Sequence, residues 1–136
     1  MTTPTTLLPS TVLDSAADLV DLRGLQKDDW IQPAPSSVDA GFDAYDETTC
    51  PVCLLAAINI AAGRHHTEPL SGVTLDAAEA VAAFLGLDHL LADADDVHEK
   101  FVEVLGNGWN DHPFRTKEQV VNTLRQAARQ EREAGR

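Results

Sequence analysis

The chain is poor in the residues on which most small chemistry-bearing proteins depend. It has two cysteines, one methionine and an aromatic content of 5%. Two cysteines three positions apart do not make the disulfide framework of a small secreted domain. No apolar run is long enough to cross a bilayer. The opening M-T-T-P-T-T-L-L-P-S lacks the basic segment and apolar run of a secretory leader, so the cytoplasm is the expected compartment. There is no glycine-rich phosphate loop and no basic patch interleaved with aromatics. Basic residues are themselves scarce: 10 against 22 acidic ones, a formal net charge of −12. Such a field repels nucleic-acid phosphates and anionic membranes; it serves solubility, and where there is a partner it favours a basic one. Direct nucleic-acid and membrane binding are therefore not expected, while homo-oligomerisation is compatible with the composition.

What is present is aliphatic. At 136 residues and 43% hydrophobic content the chain suits one domain with its own core. The most apolar stretch, Thr48 to Gly63, reads T-T-C-P-V-C-L-L-A-A-I-N-I-A-A-G. It predicts a helix with Asn59 as its one interior polar residue. Thr49 or Cys50 would cap it, Pro51 suits its first turn, and Gly63 is a left-handed stop. A helix apolar on every side belongs inside, with other helices laid against it.

The remaining elements follow from helical spacing and caps. Residues 1–9 read as a loose tail. Ser10 or Thr11 would cap a first helix with Leu13, Ala16, Ala17 and Val20 on one stripe, closed near Leu22 and Gly24. A connector from Leu25 to Ser37 carries Trp30 and Ile31 as candidate core anchors, with room for a small β-hairpin near Trp30. Thr74 would open a third helix with Leu75, Ala78, Ala82 and Leu85 inward and Gly86 at its end. Asp96 and Glu99 form a candidate capping box for a short fourth helix, with Val97, Phe101, Val104 and Leu105 sharing a face and Gly106 ending it. Thr116 with Gln119 is a second box, opening a last helix whose Val120, Val121, Leu124, Ala127 and Ala128 face inward. The expected fold is an all-α, single-domain bundle of about five helices around the apolar one, spanning 10–128. Residues 129–136 are expected to fray.

Several groups carry the residue types of known chemistry. Cys50-Pro51-Val52-Cys53 at a helix start resembles the active-site motif of glutaredoxin-like proteins, where the helix terminus lowers a thiol pKa. The preceding D-A-Y-D-E-T-T is not the apolar strand that fold requires, and its acids disfavour a thiolate. Cys50 and Cys53 also have zinc-knuckle spacing. His65 and His66 would lie roughly 15–20 Å away along a helix rising ~1.5 Å per residue, too far to share an ion with them. A Cys53–His112 pair oriented by Asn110 or Asp111 supplies the types needed for nucleophilic catalysis. Asp93, Asp95 and Asp96 lack the glycine and distal glutamate of a calcium loop and read as solvated cap residues. Arg125, Arg129 and Arg132 read as an exposed mixed-charge face.

Trp30 with Gln32, Cys53 with L-L-A-A-I-N-I-A-A-G, and G-W-N-D-H-P-F-R-T-K-E-Q-V together resemble an uncharacterised family of small actinobacterial and actinophage proteins. That family's pattern reads W-x-Q, then C-A-L-G-A-I, then W-N-D-x-P-G-R-T-x-x-E-V. Ala56 and Phe114 replace two of its glycines. The resemblance implies no activity. Physically, Asn110 and Asp111 suit a turn-capping role, Trp109 an apolar plug beneath the turn, and Arg115 a partner for Asp111. Trp30, Trp109, Asn110, Asp111 and Arg115 are thus the candidate binding or turn-capping set. The expectation is a non-catalytic protein acting through protein–protein contacts, without cofactor. The competing reading is a thiol redox or structural zinc site at Cys50 and Cys53, with His112 as a further catalytic candidate.

Overall fold

The computed structural model describes residues 7–26, 52–91 and 95–136. Among these it is all-helical, with no strand. The elements are α1 (Pro9–Arg23), α2 (Leu54–Ala61), α3 (Val73–Leu85), a 3₁₀ turn (Asp88–Leu91), α4 (Val97–Phe101) and α5 (Lys117–Glu133). A nine-residue π-helical segment, Val102–Asn110, continues α4 directly. Trp30, Cys50 and the hairpin considered near Trp30 lie outside the described residues. No described helix is long and apolar enough to cross a membrane.

α1 and α5 form the most extensive contact and run in opposite directions. Their apolar stripes meet, Val12, Leu13, Ala16, Ala17 and Val20 against Val120, Leu124, Ala127 and Ala128, all fully buried. A ladder of charge flanks the seam: Asp14 with Arg132, Asp18 with Arg125 at 2.9 Å and Asp21 with Lys117 at 3.7 Å. Such exposed pairs are worth about 0–1 kcal/mol each, so they set register more than stability. α2 packs against α1, α3 and the π segment, and Leu54 to Asn59 are buried without a break. Burying Leu55 or Ile58 is worth about 1.5–3 kcal/mol each.

The boundaries differ from those read in the sequence, each for a tertiary reason. α2 begins at Leu54, with Cys53 as its N-cap, not at Pro51. Val52 is extended because it forms a parallel bridge with Leu25, donating to Gly24 O at 3.0 Å and accepting from Gln26 N at 2.9 Å. α1 begins at Pro9 with Leu8 as N-cap, which places Ser10 inside the first turn and buries it. The inward face of α3 is Thr74, Ala77, Ala78, Ala80, Val81 and Ala82. Leu75 and Leu85 are only half-buried, packed against the edge of the core. α5 continues past Arg129 to Glu133, Arg132 being paired across the seam. Gly106 does not end the fourth helix: the backbone opens into a wider winding in which Asp111 N donates to Gly106 O, five residues back, at 3.0 Å.

Candidate functional site

The start of α2 is where two of the three family-like stretches meet. Val52 is pinned by its bridge, and the chain turns into the helix at Cys53, whose Sγ accepts from Ala56 N at 3.4 Å. The next orphan donor, Leu54 N, has no partner in its own helix. Asn110, at the end of the π segment, supplies one: its Oδ1 accepts from Leu54 N at 3.0 Å. The Nδ2 of the same amide donates to Gln26 O at 3.0 Å and to Asp111 Oδ1 at 2.9 Å. One side chain, fully buried, thus joins the start of α2, the strand-like link after α1 and the end of the π segment. Asp111 orients the amide and sets a negative charge near a helix amino terminus, where it is favourable.

Cys53 is 6% exposed. Burial, with a smaller push from the Asp111 charge, drives its thiol from 9.0 up to about 11, against the opposing pull of the Ala56 and Leu55 N–H groups. At neutral pH it is a thiol, whereas nucleophilic and metal-binding cysteines act as thiolates.

Beyond Asn110 the turn is organised by Arg115. Its Nε donates to Trp109 O at 3.0 Å, and its guanidinium stacks over the Trp109 ring at 4.1 Å from the centroid. Trp109 is therefore a half-buried platform under a cation rather than a sealed plug. Thr116 and Gln119 complete a reciprocal capping box, which starts α5 immediately after the turn. His112 is exposed; its Nδ1 accepts from Phe114 N at 3.2 Å, and its ring lies 5.8 Å from that of Phe114. Phe114 is itself 82% exposed.

Of the candidate residues, the structure brings Cys53, Asn110 and Asp111 to one junction and stacks Trp109 with Arg115 beside it. It places Trp30 and Cys50 outside the described residues. Among the described residues no group of three or more His, Cys, Asp or Glu side chains could hold a metal ion. His65 and His66 lie in the loop after α2, with ring centroids 4.1 Å apart.

Three contributors escaped sequence reasoning. Asn59 closes the other end of α2, its Nδ2 donating to His66 O at 3.1 Å and Glu68 O at 2.8 Å. Arg64 ties the loop to α3 through Ser71 O and Thr74 Oγ1. His98 Nδ1 accepts from Leu70 N at 3.1 Å. Only Asn59 left a signal, as a lone amide in an apolar helix.

The chain belongs to the family of unknown function DUF6197, which it matches over residues 4–130. This agrees with the expectation of an uncharacterised family. No curated protein and no solved structure matches the chain.

Proposed function

We propose that this member of a family of unknown function is a non-catalytic, cytoplasmic helical protein that acts through protein–protein contact, with a basic protein as partner. The observation that carries this reading is the occupancy of the W-N-D turn. Every bond of the Asn110 amide goes to the protein's own backbone or to Asp111, and Arg115 is engaged with Trp109. Polar groups arranged this way build a junction and leave little to grip a small substrate. The net charge of −12 supplies the long-range attraction for a basic partner. Phe114 and Leu22 are the most exposed large apolar side chains among the described residues, at 82% and 86%.

The test has two arms. Capture of basic proteins by the immobilised chain should weaken as ionic strength rises beyond ~0.15 M, where screening falls within ~8 Å. It should weaken further for Phe114→Ser. In parallel, thiol titration and metal analysis of the purified protein should find a slow Cys53 and no stoichiometric zinc. Fast-reacting Cys50 and Cys53, or one zinc per chain, would instead favour the cysteine-dependent site.

A further inference from the structure

Independently of any partner, we propose that Val97–Asn110 is a two-state element. The Asn110 amide is the latch that selects its π-wound form, and the competing form is a continuous α-helix. A π winding is ordinarily a single wide turn within an α-helix and recurs at functional sites; here it runs for nine residues. Its sequence weakens the α alternative without abolishing it. Gly106, Asn107 and Gly108 are poor α-formers, the glycines because they lose the most backbone freedom on winding. An α-helix turns once in 3.6 residues, and a helix bonded five residues back takes more. Nine residues wound the two ways therefore aim their last side chain in different directions. Only the π form brings Asn110 over Leu54 N and Gln26 O, so latch and winding are coupled.

Gly108 reports the same coupling from the backbone side. A Cβ there would lie 3.3 Å from Glu103 O, a carbonyl brought beneath it by the five-residue spacing. At Gly106 the nearest atom to an added Cβ is Leu55 Cδ1 at 3.9 Å, an ordinary contact. Alanine at 108 thus crowds a backbone carbonyl of the π form by a few tenths of an ångström, whereas alanine at 106 meets only ordinary contact. Rewinding would withdraw Asn110 from the start of α2 and uncover Leu54 N beside the buried Cys53. A ligand or partner that prefers one form would shift the population by its difference in affinity for the two.

Couplings measured across hydrogen bonds by NMR identify the acceptor of each amide. In the native protein Asp111 N–H should report Gly106. In Asn110→Ala it should report Asn107, one residue closer, and alkylation of Cys53, followed on its own peptide, should accelerate. Gly108→Ala should shift the acceptor in the same direction with Asn110 intact, and Gly106→Ala should shift it less. An Asp111 N–H that keeps position 106 as acceptor in Asn110→Ala or Gly108→Ala overturns the proposal, even if Cys53 reacts faster. Should Asn110→Ala not fold, Gly108→Ala decides alone.

Discussion

The two ends of α2 solve one problem in opposite ways. Both must hold backbone groups of a neighbouring segment in place, and both use an asparagine that is fully buried. At the carboxyl end Asn59 belongs to the helix itself and reaches carbonyls only seven and nine residues ahead. At the amino end Asn110 arrives from 56 residues away and also reaches Gln26, 84 residues before it. The local solution is imperfect: among the described residues no donor reaches Asn59 Oδ1. At the distant one, each polar atom of the side chain has a partner. A clamp between remote segments contributes to the fold as a whole, whereas a local clamp secures one loop.

That contrast orders the expected effects of substitution. Asn110→Ala strips the partner from the buried Leu54 N and removes the side-chain bonds to Gln26 O and Asp111; at about 1–3 kcal/mol for the orphaned N–H and about 1 kcal/mol for each further bond, it should cost about 3 kcal/mol by chemical denaturation. A loss under about 1 kcal/mol would break the comparison.

Next comes the thiol beside it. Cys53 titrates at about 11 when folded against an ordinary 9.0. A raised pKa means that its contribution is fully present below pH 9 and is lost as pH rises toward 11. The span corresponds to about 2–3 kcal/mol at 1.36 kcal/mol per unit. The difference in stability between native protein and Cys53→Ala should narrow across that window. A constant difference would place the thiol in water rather than in the core.

At the other end Asn59→Ala should cost about 1–2 kcal/mol, less than Asn110→Ala. The carbonyls it releases, His66 O and Glu68 O, sit in a loop that water can reach, and the unpaired Oδ1 is removed with them. Hydrogen exchange should quicken in residues 62–72 and leave α1 and α5 unchanged; acceleration throughout would mean that the local clamp also holds the whole fold. The smallest effect is Asp111→Ala, about 1 kcal/mol, since it orients Asn110 without replacing it. An unchanged melting temperature would remove Asp111 from the junction.

Much of the helical framework was legible because its signals are short-ranged. The stripe of α1 falls at the predicted positions, that of α5 does so except that Val121 is only half-buried and Thr123 turns inward, and the Thr116–Gln119 box forms as its spacing implies. The Asp96 cap forms too, its Oδ1 accepting from Glu99 N at 3.0 Å. The junction was half legible. Asn110 and Asp111 stood out as turn-formers, but nothing local marked Leu54 N and Gln26 O as their partners. Gly106 was misread because glycine usually marks a helix end, and a wide helical turn uses the same residue without leaving the helix. Arg115 was matched with the nearest carboxylate in sequence, whereas the π-face of Trp109 lies under it in space.

The amino-acid order alone determined which stretches wind, which faces are apolar and which side chains can close a nearby backbone group, because all of these act within a turn or two. Tertiary structure decided where α2 begins, that the fourth helix opens into a π winding, and that one asparagine joins three segments. Those outcomes depend on unpaired N–H and C=O groups meeting donors and acceptors far away in the chain, and that happens only once the helices have packed.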